Sequence, residues 1–439
     1  MLTLKIFYLR SWLLFCLILL PSITLLHAEA DNSEPVPAGE SQLLLSLWEQ
    51  ALERQLSQHP YWLKLLHFYS FSESVGQWSF KSDVESSSFF LSAKGKTDPQ
   101  VELKATIKAL LAPSVEDPNQ HARCKFIARF NWLQSKLDFP ELPKQACPLF
   151  ERWANLGEAS GISIVFVSAY LKNPASIFGH LLIKFNSTNS LFGHSLLRPT
   201  LNYGAKITLG DNPFMYVVNG LFGGYEGSFT DERFYNYNHI YGENELRDLW
   251  EYPLNFTIQE RERVTYHAWE LLQNINFNYY FFLDNCAYRM AELLAIAWDD
   301  AARINISGAL WSVPLDVVFK LQKFNKGSRQ QPLLGIPRLI PSRQRKLQQR
   351  VSQLSELEQA QLKSLIETTD YLDSEKFLSF PEKSQARIVD AMLDYLQYEK
   401  KGKFTLHQQN ELNKLLLLRS SLPILETKSD AEAPQAPTE

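Results

Sequence analysis

The chain has 439 residues, 45% of them hydrophobic and 21% charged, with a formal net charge of −4. That length and balance describe an ordinary globular protein with room for two or three domains around a large core. They exclude a nucleic-acid partner held by a basic patch or stripe. Aromatic residues reach 13% and Phe alone counts 28, which fits a well-filled core or aromatic-lined apolar surfaces.

Lys5 and Arg10 flank the start of the apolar run WLLFCLILLPSITLL, and Ala28-Glu29-Ala30 forms an A-x-A pattern before the polar DNSEPVPAGES. This predicts an export signal over residues 1–30, with an uncleaved membrane anchor as the alternative; the run is short for a span and contains Pro21. No later segment offers about 20 unbroken apolar residues, so the mature chain is expected to be soluble or peripheral, in a bacterial periplasm. Residues 31–40 read as a linker.

Residues 41–115 read as a small helical N-terminal region. SQLLLSLWEQALERQLSQ has helical periodicity and stops at His59-Pro60, and YWLKLLHFY is a second helical piece. SSFFLSAKG resembles a short strand, and PQVELKATIKALL another helix. His59 and His67 are expected at the edge of these helices.

Residues 116–300 read as one α+β domain of catalytic type. Its upstream part holds Cys124 and Cys147, which are expected to pair in an oxidising compartment, and the helical FIARFNWLQSKL. ISIVFVSAYL, HLLIKFN and LNYGAKITL then read as strands, and MYVVNGLFGGYEGSF as a strand with a Gly-rich turn. That turn lacks the spacing of a phosphate cradle. TIQERERVTYHAWELLQNI reads as a helix, with His267 structural, and a further helix is expected from Cys286 to Trp298. Residues 301–423 read as a helical C-terminal region, and 424–439 as a disordered tail.

Cys16 falls in the signal, so pairing of Cys124 with Cys147 leaves Cys286 alone. It lies where the aromatic run YYFFLDN meets a helix. A cysteine in the first turn of a helix meets free backbone N–H groups and the positive end of the dipole, both of which favour the thiolate. Such a nucleophile needs a base, which His180 at the start of a strand can supply. The base needs an orienting acceptor; Asn202 on the following strand is the first choice and His194 the second. A metal reading of His180, His194 and His239 lacks a compact ligand motif, so no metal or cofactor is expected.

NPASIFGHLLIKF, LNYGA, VNGLFGGYEGSF, LWEYPLNFTIQERERV and YYFFLDNCAYRMAELL together resemble the Lnb family, the periplasmic domain family of bacterial lipoprotein N-acyltransferases. CKFIARFNWL and ACPLFERW look like its upstream cysteine-bearing segment, and the FGH and DNC motifs are the specific part. The resemblance implies an α+β fold with a permuted papain-like, NlpC-type core, in which the histidine precedes the cysteine as His180 precedes Cys286. It implies Cys286 as nucleophile, His180 as base and Asn202 as the orienting residue. The implied activity moves an acyl chain from a membrane phospholipid, through a cysteine thioester, to the N-terminal amine of a lipoprotein, with peripheral membrane contact. A periplasmic cysteine hydrolase using the same residues, and a non-enzymatic envelope scaffold, are the alternatives.

Overall fold

The computed structural model describes residues 38–74, 77–156, 159–171, 176–187, 195–207, 212–273, 275–299, 313–323, 331–367, 374–400, 404–425 and 437. The expected signal, most of the linker, nearly all of the tail and His194 lie outside these residues.

The N-terminal region begins with α1 (Ala38–Glu53) and α2 (Pro60–Leu65). Pro60 is the first residue of α2, and the His59 ring caps it by accepting the Tyr61 N–H at 3.1 Å. The chain then leaves the helix through His67, which has a left-handed φ of 53°, and forms the hairpin β1 (Phe68–Ser74) and β2 (Gln77–Ser82). The expected second helix is therefore cut short, and the region is not purely helical.

SSFFLSAKG is not a strand. Ser87–Phe89 forms a single 3₁₀ turn, and the N–H groups of Leu91 and Ser92 both go to the Glu102 carboxylate at 2.9 Å. A buried acceptor thus takes the donors that a ladder would have used. Glu102 sits on α3 (Pro99–Leu110), whose N-terminus is capped by Asp98 at 3.0 Å. The short α4 (Ala122–Lys125) leads into α5 (Ile127–Lys136), and α6 (Pro148–Ala154) follows.

Cys124 and Cys147 form the expected disulfide, with Cα atoms 5.3 Å apart. It ties α4 to the residue that opens α6, and the Cys124 carbonyl accepts from the Trp269 indole at 2.8 Å. With a sequence separation of 23, chain-entropy arguments give the bridge about 3 kcal/mol. The Cys124→Ser, Cys147→Ser double variant is expected to lose about that much in denaturant titration. An unchanged midpoint would show that packing alone holds this loop.

Seven antiparallel strands make the central sheet: β3 (Ala159–Val167), β4 (His180–Ser187), β5 (Pro199–Lys206), β6 (Tyr225–Arg233), β7 (Leu249–Leu254), β8 (Asn276–Tyr279) and β9 (Arg338–Ile340). Their spatial order is β8-β6-β5-β4-β3-β7-β9. One face buries Ile162, Ile164, Phe166, Leu181, Ile183 and Tyr203 against the main core, while Val165, Val167, Leu182 and Leu249 bury the other against Phe234 and Tyr237. Apolar side chains on both faces explain why IVFV (164–167) reads as a continuous apolar run rather than an alternation.

Four helices embellish this sheet: α7 (Pro213–Phe222), α8 (Phe234–Tyr237), α9 (Ile258–Leu271) and α10 (Cys286–Ala295). The expected strand MYVVNGL is α7 instead. Asn212 caps it by accepting the Met215 N–H at 2.8 Å, Pro213 fills the first turn, and Gly223 ends it with a φ of 76°. These end signals outweigh the strand preference of Val217 and Val218.

Beyond α11 (Pro314–Lys323), which packs into the main core through Val317, Val318 and Leu321, β9 completes the sheet. The helices α12 (Arg343–Ser352), α13 (Glu356–Glu367), α14 (Glu375–Leu378), α15 (Glu382–Lys400) and α16 (Leu406–Ser421) follow. They gather around a second core that includes Leu365, Phe377, Ile388 and Leu415. The described residues from 313 to 423 are mostly helical, with β9 as the one strand among them. Among the described residues no helix is long and apolar enough to cross a membrane. The fold is thus α+β: a mixed set of helices on an antiparallel sheet.

Candidate active site

Cys286 is the first residue of α10 and is 3% exposed. The helix starts there because Asn285 caps it, its side-chain oxygen accepting the N–H groups of Ala287 at 2.9 Å and Tyr288 at 3.2 Å. The Asn285 amide also donates to the Phe281 carbonyl at 3.1 Å, fixing the approach of the aromatic segment. Burial on its own would push the thiol pKa up. The His180 charge, a hydrogen bond to His180, and the N–H groups of Leu181 and Ala287 overcome this and hold it below its ordinary value.

His180 opens β4, in register with Val167 of β3. Gly179 before it has a φ of 96°, and a Cβ there would lie 2.6 Å from the Phe166 ring and 2.7 Å from the Val167 carbonyl. The FGH motif therefore has a steric cause: only glycine lets the chain turn so close to β3 and deliver the histidine.

The His180 Nε2 bonds the Asn202 Oδ1 at 2.6 Å. Asn202 faces Leu182 across the β4–β5 ladder and Thr230 across the β5–β6 ladder, and its amide donates to the Thr230 hydroxyl at 3.4 Å. With the amide nitrogen directed to Thr230, the Asn202 oxygen accepts the imidazole N–H. Nε2 then carries the proton of the neutral ring, and Nδ1 is left to face the thiol. Burial would lower the imidazole pKa; the Cys286 charge, with hydrogen bonds to Cys286 and Asn202, raises it above its ordinary value, and Arg247 opposes this. The two shifts share one cause: thiolate and imidazolium each stabilise the other.

The structure thus brings together Cys286, His180 and Asn202. His239 is elsewhere in its contacts, its exposed ring paired with Glu243 at 2.8 Å. Among the described residues no group of three or more His, Cys, Asp or Glu is placed to hold a metal ion. His67 is not at an edge: it is buried, with its Nε2 3.1 Å from the Nε2 of the equally buried His267.

Sequence reasoning missed the surroundings of His180. The Tyr241 ring lies 5.7 Å from the imidazole, and the buried Arg247 guanidinium lies 5.0 Å from the Tyr241 ring. Both come from IYGENELRDLW, which has no motif spacing that would have marked them. Sequence reasoning also missed the half-buried network around Arg289 behind α10. Arg289 pairs with Glu292 at 2.7 Å and Asp83 at 3.0 Å. Burial would raise the Glu292 pKa, but Arg289 and His67 hold it at about 2. Asp83 belongs to the N-terminal region, so this network fixes the helix of Cys286 from behind.

Fold and site together define an α+β protein in which a buried cysteine and histidine and a half-buried asparagine are joined by hydrogen bonds. Residues 149–322, which contain all three, match the family model of the Lnb N-terminal periplasmic domain, so this segment is Lnb-like and of a periplasmic family. Residues 54–136 and 340–431 match two further families, each described only as a domain of unknown function (DUF7843 and DUF7842). No curated protein and no solved structure matches the chain.

Proposed function

We propose that the protein is a thiol-dependent acyltransferase that takes a fatty acyl chain from a membrane lipid and passes it to the N-terminal amine of a lipoprotein. The observation that carries this reading is the hydrogen-bonded line from Cys286 at a helix N-terminus, through His180, to Asn202. A buried thiolate–imidazolium pair is an activated nucleophile. The Lnb match and the permuted papain-like order of histidine before cysteine support the same assignment.

In the first half-reaction His180 Nδ1 takes the Cys286 proton, and the thiolate attacks the ester carbonyl. Backbone N–H groups at the start of α10 stabilise the oxyanion. As the C–O bond breaks, His180 returns its proton to the leaving alcohol of the lysolipid, and the acyl chain remains as a thioester. In the second, the amine attacks that thioester, His180 accepts the amine proton, and the C–S bond breaks to leave an amide and free Cys286. A thioester retains the acyl-transfer potential that amide formation requires.

A lipid donor is supported by α7. This helix carries no charged residue and exposes Phe214, Val217, Leu221 and Phe222. Its Gly220 carbonyl accepts the Phe281 N–H at 2.7 Å, next to the segment that ends at Cys286. An exposed apolar patch of this kind marks a surface for apolar ligands or membranes.

The test is intact mass spectrometry of the purified protein after incubation with phospholipid vesicles, followed by a diacylated lipopeptide. The expected result is a hydroxylamine-labile acyl adduct that disappears as the lipopeptide gains one chain. Release of free fatty acid without a gain by the lipopeptide would replace transfer by hydrolysis. No adduct and no lipid turnover would remove the lipid donor.

A further inference from the structure

Ten residues beside His180 concentrate three costly features. After α8, Asn238–Asn244 form a π-helical turn, with the Glu245 N–H reaching back to the Ile240 carbonyl at 3.0 Å. Such turns are rare and recur at functional sites. Leu246 follows with a φ of 62°, a left-handed conformation that strains a residue carrying a Cβ. Arg247 is then buried at 2% exposure. A guanidinium is expensive to bury, and strain of this kind persists only where the surroundings enforce it.

All three features converge on one ring. The Tyr241 ring, near-parallel to Tyr237 at 6.3 Å, lies 5.7 Å from the His180 imidazole at 46°. Arg247 lies over Tyr241 at 5.0 Å and over Tyr170 at 5.8 Å. Its Nε donates to the Ser168 carbonyl at 2.6 Å and its Nη2 to the Val167 carbonyl at 3.4 Å, and Nη1 meets Glu245 at 2.8 Å. Val167 is the residue paired with His180 across the ladder. Arg247 therefore joins the end of β3, the π-helical turn and the Tyr241 ring that leans on the imidazole.

The C-terminal helices grip the same segment. Arg343 of α12 meets Glu243 at 2.8 Å, the carboxylate that also binds His239. Arg345 meets Asp248 at 2.6 Å, and the other Asp248 oxygen accepts the N–H of Ser342, the residue that caps α12. Arg343 also donates to the Gln397 carbonyl of α15 at 3.1 Å.

We propose that Tyr241 and Arg247 are positioning residues for His180, and that the C-terminal helical region holds them in place through Arg343–Glu243 and Arg345–Asp248. This gives the region beyond residue 340 a role at the site, and it rests on His180 being the proton acceptor of Cys286.

The test is the rate of iodoacetamide alkylation at Cys286 against pH, located by peptide mass mapping, for the full chain. The variants are Arg247→Met, Arg247→Lys, Tyr241→Leu, Arg345→Met and the reference His180→Ala. A displaced imidazole stops stabilising the thiolate, so Arg247→Met and Tyr241→Leu should move the alkylation midpoint upward, toward that of His180→Ala. Arg345→Met should move it the same way by less, and Arg247→Lys should restore part of the wild-type profile. If Arg247 acted only through its charge, its removal would favour the imidazolium and move the midpoint downward. A downward or absent shift with a thermal midpoint lowered alone would overturn the proposal. Arg345→Met, on the partly exposed clamp, keeps the test open should Arg247→Met fail to fold. An unchanged profile in His180→Ala would instead remove the pairing of His180 with Cys286, and the proposal with it.

Discussion

Cys286→Ser is expected to slow acyl transfer to a lipopeptide amine by about 10³-fold or more, judged by the losses seen when other enzymes lose a nucleophile. The side chain changes little in size, so a residue 3% exposed at the start of α10 keeps its packing. What changes is the chemistry. Against burial, His180 and the N–H groups of Leu181 and Ala287 lower the pKa of a thiol and so favour its ionisation; a hydroxyl ionises far too weakly for the same surroundings to generate an alkoxide. An oxygen ester would also lack the reactivity toward amines that a thioester has. Time-resolved mass spectrometry of the lipopeptide measures the effect, and transfer by the serine variant at the wild-type rate would remove Cys286 from the reaction.

Arg129→Met carries the largest expected cost in stability, about 3–5 kcal/mol, the range for breaking a buried ion pair from one side. Arg129 is fully buried on α5, with Glu102 at 3.0 Å and Glu270 at 3.5 Å, both carboxylates also fully buried. It donates to the Phe89 carbonyl at 2.8 Å and lies between the rings of Phe89 and Phe126, 4.3 and 4.4 Å from their centroids. Methionine fills part of the volume but leaves two buried carboxylates without their cation. Burial already raises the Glu102 pKa above its ordinary 4.5, against the pull of Arg129; without that pull it rises further. A carboxyl with a raised folded pKa is favoured below its unfolded value and penalised as pH climbs past it. The deficit in denaturant titrations should therefore be greatest near neutral pH and shrink in acid. A loss that is small and independent of pH would mean that Arg129 contributes mainly by filling space.

The parts of the site that were legible in the sequence are those with local causes. Cys286 was marked by a junction of an aromatic run and a helix, which the Asn285 cap now explains. His180 was marked by a glycine and an alternating strand, and Asn202 by its place on the next strand of a hairpin. Tyr241 and Arg247 were not legible, because their relation to His180 depends on a π-helical turn and a left-handed Leu246 that no periodicity announces. The strands β7 and β9 were missed for a related reason. They are short, β7 contains Pro253, and β9 joins a sheet whose other members lie far upstream. In MYVVNGLFGGYEGSF, expected as a strand with a Gly-rich turn, the first part is helical because Asn212-Pro213 and Gly223 are helix end signals that outweigh two adjacent valines.

The order of the cysteines along the chain bears on how the protein is made. Cys124 and Cys147 are close in sequence and form the bridge, while Cys286 comes well over a hundred residues later. Among the described cysteines, Cys124 and Cys147 are therefore synthesised together and ahead of Cys286. With α10 packed against the sheet, Cys286 is buried in the main core. Among the described residues it is the one free thiol, and its burial shields it from oxidants and from exchange with the bridge.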